Sequence, residues 1–203
     1  MNHRRPFRLL PLLLLGGSLI GSAHAAPRPP EASPLPAELT LPDVGGHSVR
    51  PLAVGTNRAI VCVFLANECP ISNRAIPELR RLQETFGPRG VAFRFVYPNA
   101  DETDASVRQH ATEYALPGLP LRDPGLKLSH LANVQVTPSA LVVSPTGEVL
   151  YRGRIDDRYA GLGQAKPEPT RHDLELALTA VLNGQRPEPA ETRAVGCHLV
   201  ALP

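Results

Sequence analysis

A cysteine followed by proline, just past a long apolar run, is the feature of this sequence best suited to chemistry. Ala59-Ile-Val-Cys-Val-Phe-Leu65 is apolar throughout and rich in β-branched residues, and Cys69-Pro70 comes four positions later. Ile71, Ala75, Leu79, Leu82 and Phe86 then recur at helical spacing. The run reads as a strand buried on both faces. Pro70 suits the first helical position, where its missing N–H leaves no bond unmade. Cys69 is therefore expected at the helix N-cap, where unpaired N–H groups and the helix dipole stabilise an anion. A thiolate so placed has a lowered pKa and acts as a nucleophile near neutral pH. Glu68 opposes this, because a neighbouring carboxylate raises a thiol pKa. On position alone, Cys69 is either this nucleophile or an inert cysteine.

The other candidates are weaker. Cys62 lies inside the apolar run and reads as a small core residue. Cys197 sits in Val195-Gly-Cys-His198, close to the C-terminus. His47, His110, His130 and His172 are scattered without ligand spacing and read as surface or core. His198 adjoins Cys197, and with Cys69 the three would make a soft set for copper(I). In Tyr151-Arg-Gly-Arg-Ile-Asp-Asp-Arg158, Asp156 and Asp157 are adjacent and would face opposite sides of an extended segment, which suits a solvated or salt-bridged loop.

The elements that must hold these residues follow from pattern. Leu39–Val54 reads as a short hairpin around Pro42-Asp-Val-Gly-Gly46. The first long helix ends at Gly87-Pro88, with Pro77 expected to kink its middle. Val91–Tyr97 is a second strand, and residues 103–115 form a helix opened by Asp101 or Thr103. A short strand or loop at 119–122 and a short helix at 125–131 come next. Ser139–Val143 and Glu148–Arg152 are strands joined by the turn Ser144-Pro-Thr-Gly147. The last helix, 171–183, is expected to start at Thr170 with Asp173 in a capping pattern, and Asn183-Gly184 ends it. The order implies a parallel central pair of strands extended by an antiparallel hairpin, an α/β sandwich.

Around this domain, residues 37–184, lie three appendages. Residues 1–25 have three arginines and no acid at the start, then an apolar stretch, then Ala23-His-Ala25. That is the pattern of a signal peptide cleaved near Ala25/Ala26, and its apolar stretch is too short to span a membrane. It implies a periplasmic or secreted protein with no stable membrane span after cleavage, in a compartment that permits disulfides. Residues 26–36 form a proline-rich, poorly ordered arm. Residues 185–203 form an extended, flexible tail carrying Cys197. Loss of Arg4, Arg5 and Arg8 turns the formal charge from +2 to −1, which leaves no basic field for nucleic acid.

Phe64-Leu-Ala-Asn-Glu-Cys-Pro-Ile-Ser-Asn-Arg-Ala-Ile-Pro-Glu-Leu79 resembles the active-site segment of the thioredoxin-like superfamily. It is similar above all to the extracytoplasmic TlpA/ResA and redoxin (AhpC/TSA-like) branches, which carry F-W-A-x-W-C-x-x-C and a proline five residues after the second cysteine. The resemblance puts Cys69 on the nucleophile and Pro77 on that proline. It extends from the first hairpin to the last helix and implies a thioredoxin-like sandwich with an N-terminal hairpin extension. Val136-Thr137-Pro138 matches the family's cis-proline segment, where Thr137 would offer backbone hydrogen bonds to a thiol substrate. If the 151–158 loop comes near that proline, Arg158 is placed to steer an acidic partner.

Two departures qualify what the resemblance implies. Ser72 stands in place of the resolving cysteine, and Glu68 in place of a tryptophan. A hydroxyl cannot resolve a mixed disulfide, although Ser72 can donate a hydrogen bond to the Cys69 thiolate. The peroxidase pattern P-x-x-x-[TS]-x-x-C finds Cys62 and Ala66 at its proline and hydroxyl positions, which weakens a thiol peroxidase. The C-x-x-x-C of SCO-type copper carriers is absent, so copper(I) is a secondary reading and no cofactor is expected. Cys197 is a candidate for the missing thiol, since the tail beyond Gly184 spans about 40 Å when extended. It is otherwise an unused tail thiol or half of an intermolecular bridge. The implied activity is thiol–disulfide exchange with protein or small-molecule partners; the alternatives are a peroxiredoxin-like thiol peroxidase and a non-catalytic thioredoxin-fold protein that binds copper or a partner.

Overall fold

The computed structural model describes Met1 and residues 33–201. The signal-like segment and residues 26–32 of the arm lie outside the described residues. The chain runs β1 (Leu41–Pro42), β2 (Ser48–Val49), β3 (Ala59–Phe64), α1 (Pro70–Phe86), β4 (Val91–Tyr97), α2 (Asp104–Glu113), β5 (Pro120–Arg122) and α3 (Lys127–Leu131). It continues with β6 (Val136–Thr137), β7 (Ser139–Val143), β8 (Val149–Gly153), β9 (Tyr159–Gly161), β10 (Gln164–Ala165), α4 (Asp173–Leu182) and β11 (Cys197–His198).

Five strands form the central sheet in the order β5-β4-β3-β7-β8. β3, β4 and β5 are parallel, β7 runs antiparallel to them, and β8, antiparallel to β7, runs in the direction of β3 again. The unbroken apolar run of β3 is explained by its place at the centre. Ala59, Val61 and Val63 face a core built with Ile76, Leu79, Leu82 and Phe86 of α1 and Leu174 and Leu178 of α4. Ile60, Cys62 and Phe64 face a second core with Leu41, Leu121, Leu128 and Leu141. Parallel strands with both faces covered read as continuous hydrophobic runs. Leu79 is wholly buried. Leu79→Ala is expected to cost about 2–5 kcal/mol through lost burial and the cavity left, measured by urea unfolding.

The layout is the α/β sandwich expected, a thioredoxin-like fold, with boundaries corrected at several places. α1 ends at Phe86, before Gly87-Pro88 as expected, with Pro77 inside it. α2 is capped by Thr103, whose hydroxyl accepts the Ser106 N–H at 3.1 Å. α3 begins two residues later than expected, because Asp123 takes the Lys127 and Ser129 N–H groups while Leu126 adopts a left-handed conformation. α4 starts at Asp173, not 171, and the expected Thr170–Asp173 cap does not form. Asp157 captures that segment instead, accepting from the Thr170 N–H and hydroxyl and the Arg171 N–H. Asp173 is bound by the guanidinium groups of Arg154 and Arg171, each at 2.6 Å.

The arm and tail are tied down more than their composition suggests. Leu35 is buried, and its N–H donates to the Gly147 carbonyl at 2.8 Å. The tail returns along β8, with a parallel bridge between Arg152 and Glu191, and β11 then pairs antiparallel with β6. A tail expected to be flexible is thus an ordered strap across the end of the sheet. No helix among the described residues is long and apolar enough to cross a membrane.

Candidate active site

β3 delivers Cys69 to its position. Its chain emerges from the carboxyl end of the central strand, turns at 66–68, and enters α1 with Cys69 as N-cap in extended conformation and Pro70 at the first helical position. The Asn73 N–H donates to the Cys69 carbonyl at 3.0 Å, the first bond of the helix. Across from it, β6 leads into a cis Thr137–Pro138 peptide. The Cys69 thiol, when protonated, donates to the Thr137 carbonyl at 3.3 Å.

The strap places Cys197 against this pair. Cys197 is the register partner of Thr137. Burial pushes the Cys69 thiol up, but hydrogen bonds from the Cys197 side chain and backbone and from the Ser72 backbone and hydroxyl outweigh it. The Cys69 pKa is held below the ordinary 9.0. Cys197 moves the opposite way, pushed up to about 12 by burial and by its contact with Cys69. The pair therefore keeps one proton on Cys197 while Cys69 becomes the anion, and it titrates as a unit. Both are free thiols in this structure.

A sulfur at a helix N-cap, beside a cis-proline and facing a second thiol, is a redox arrangement, and the redoxin family profile matches residues 30–165. The chain belongs to the redoxin family. With that it is an oxidoreductase. Among solved structures, this redoxin is similar to an uncharacterized conserved protein of Geobacillus kaustophilus. The two are 24% identical over 85% of this chain and 91% of that one, with a TM-score of 0.72. A hypothetical protein of Sinorhizobium meliloti gives the same TM-score at 20% identity over 85% and 93%. A secreted disulfide oxidoreductase of Mycobacterium tuberculosis, described as homologous to E. coli DsbE, gives 0.51 at 16% identity over 73% and 96%. These likenesses show the fold. No curated protein matches the sequence.

Of the residues singled out in the redoxin sequence, Cys69, Cys197, Ser72, Thr137 and Pro138 converge. Pro70 and Glu68 are exposed, and Glu68 stands on the rim of a cleft lined by Cys69, Cys197, Asn99, Asp101 and Glu102. Cys69 is itself only 2% exposed, with the strap beside it, which sequence alone did not reveal. Arg158 does come near the cis-proline, lining a second cleft with Pro138, Arg74, Arg154 and Asp156. Its guanidinium is engaged by Glu168 at 3.0 Å. Asp157 serves the loop, with Lys166 and Thr170 on its carboxylate. Cys62 is buried, and its thiol is pushed up to about 12 by that burial. Cys69, Cys197 and His198 do not bring their ligand atoms within 4.8 Å of one another; among the described residues Glu78, His172 and Glu175 do, and Arg81 already bridges those two carboxylates.

Sequence reasoning missed the support behind the Cys69 turn. Glu102, buried, accepts the Asn67 N–H at 2.7 Å, and Asn67 donates through its amide to Ser106 at 3.1 Å. Asn73 donates to the Asn67 carbonyl and accepts from His110 Nε2, whose Nδ1 then accepts the Tyr97 hydroxyl at 2.8 Å. The signal was topological. Segments that follow neighbouring parallel strands, here β3 and β4, emerge at the same edge, where open α/β sheets bind ligands.

Burial pushes Glu102 up to about 7, against lowering by the Asn67 N–H and Arg122. The folded state thus holds this proton more tightly than the unfolded chain, whose carboxyl titrates near 4.5. Its contribution to stability is present below pH 4.5 and is lost as pH rises through 7. Glu102→Gln is accordingly expected to gain stability relative to the parent between pH 4.5 and 7, with no further gain above. Urea unfolding across that range measures the difference.

Proposed function

We propose that the chain is an extracytoplasmic thiol–disulfide oxidoreductase in which Cys69 is the nucleophile and Cys197 the resolving thiol. The observation that carries this reading is that Cys69 and Cys197 meet at the cis Thr137–Pro138 edge, Cys69 bonded to the Thr137 carbonyl and Cys197 in register with Thr137. Ser72 takes no part in resolution and serves the thiolate through its N–H and hydroxyl. The Thr137 carbonyl and the β6 edge position the reacting strand. Partners are proteins or small molecules bearing disulfides. The signal-like first 25 residues support a reaction outside the cytoplasm, where disulfides persist, and the mycobacterial neighbour is itself a secreted protein.

The test is to equilibrate the purified protein with oxidised glutathione and map its disulfides. The reading expects loss of two hydrogens, a Cys69–Cys197 linkage, a free Cys62, and return to three thiols under reduced glutathione. Three free thiols throughout, or glutathione held on Cys69 without closure to Cys197, would overturn it.

A further inference from the structure

The strap is fastened on both sides of Cys69. On the near side it is held by β8: the Arg152 N–H donates to the Ala190 carbonyl, the Thr192 N–H to the Arg152 carbonyl, and the Thr192 and Tyr151 hydroxyls meet at 2.6 Å. On the far side the Leu199 N–H donates to the Gln135 carbonyl at 3.1 Å, the Val200 N–H to Asn99 Oδ1 at 3.0 Å, and the Val200 carbonyl accepts the Ala100 N–H at 3.0 Å. The near fastening backs onto the buried Tyr151 ring, whereas Val200 is exposed. The far side is the one able to open.

Between the fastenings, Cys197 and His198 pair antiparallel with Thr137 and Val136. A Cβ on Gly196 would sit 1.9 Å from the Thr137 carbonyl oxygen, so only glycine lets the strand come this close. The chain's own cysteine thus meets Cys69 from an extended segment whose backbone lies against the cis-proline edge. Yet the fit is incomplete. The wholly buried Thr137 hydroxyl has no hydrogen-bond partner among the described residues while the tail is seated.

Building on the redox reading above, we propose that residues 195–199 are a tethered stand-in for the partner. The Val136–Thr137 edge takes an extended polypeptide segment with glycine directly before its disulfide-bonded cysteine, and segment and tail displace one another there. With the far fastening open, the Cys69 thiolate attacks the partner cysteine's sulfur. The partner's S–S bond breaks, its other sulfur leaves as a thiolate, and a Cys69–partner disulfide forms. The returning tail brings Cys197, which loses its proton and attacks Cys69 Sγ. The Cys69–Cys197 bond forms and the partner's cysteine leaves as a thiolate. Two protein thiols are oxidised, one partner disulfide is reduced, and the two protons finish on the partner's thiols.

The test uses two synthetic peptides that differ only in Gly or Ala before a cysteine, each cysteine carrying nitrothiobenzoate as a mixed disulfide. Release of the coloured thiolate is followed in a single turnover, with the full chain and with a Leu199→Pro/Val200→Pro variant in which the tail loses both of its far-side N–H donors, leaving only the Ala100 N–H on the Val200 carbonyl. The Gly peptide is expected to react at least about tenfold faster than the Ala peptide with either protein, and opening the far side to accelerate it by about tenfold more. Equal rates for the two peptides, or no acceleration in the variant, would overturn the exchange. A small aromatic disulfide separates the two levels. If it reacts with Cys69 while the peptides are not discriminated, the exchange fails and the redox reading stands; if it does not react either, both fall.

Discussion

Cys69→Ser should abolish disulfide reduction, with a loss of about a thousandfold or more, since no other group at the site can form the covalent intermediate. Cys62 cannot substitute, being wholly buried with its thiol pushed up to about 12. Nor can Cys197, whose proton is held by burial and by the contact with Cys69. Cys197→Ser should behave differently. The nucleophile remains, so the first exchange proceeds, but a hydroxyl cannot attack the mixed disulfide. The variant should therefore accumulate partner bound covalently at Cys69, visible as an intact-mass adduct that a reductant releases. Adduct-free, fully active Cys197→Ser protein would remove Cys197 from the mechanism.

Arg122→Ala should be the most destabilising single change at the site. The Arg122 guanidinium is almost entirely buried and meets Glu102 at 3.5 Å and Asp104 at 3.1 Å. It also donates to the carbonyls of Tyr97, Asn99 and Glu102. Above pH 7, where Glu102 is ionised, removing Arg122 leaves that charge and the carbonyls around it without compensation, a cost of about 3–5 kcal/mol. The loss should be read by urea unfolding, and lysine should restore only part of it because one ammonium cannot reproduce the planar fork. Glu102 then loses its cation and the Asn67 turn its anchor, so alkylation of Cys69 should change along with stability. A loss below about 1 kcal/mol, the range of exposed pairs, would show that Arg122 bears no structural load.

The central part of this account was legible in the sequence because it is local. The β-branched run of β3, Cys69 next to Pro70 and the periodicity of α1 lie within thirty residues, and each constrains the next. The Thr137–Pro138 bend was reachable only through resemblance, since nothing in the local sequence requires a cis bond. The tail was a different matter. Chain length shows that Cys197 can reach Cys69, but the path is set by pairing with β6 and by Gly196 fitting against Thr137, contacts between segments some sixty residues apart. The start of α4 was misread for a related reason. Thr170 carries a good capping pattern, and Asp157, distant in sequence, outcompetes it. Glu102 and Arg122 had no motif at all; only the parallel arrangement of β3 and β4 puts their segments beside the Cys69 turn.

The negative charge of the site belongs on Cys69. The most direct measurement is the pH dependence of its alkylation rate by a small reagent, located by peptide mapping, in the parent and in Ser72→Ala. The midpoint should lie below 9.0 in the parent and higher once the Ser72 hydroxyl is gone. A parent midpoint at or above 9.0, unmoved by Ser72→Ala, would contradict it.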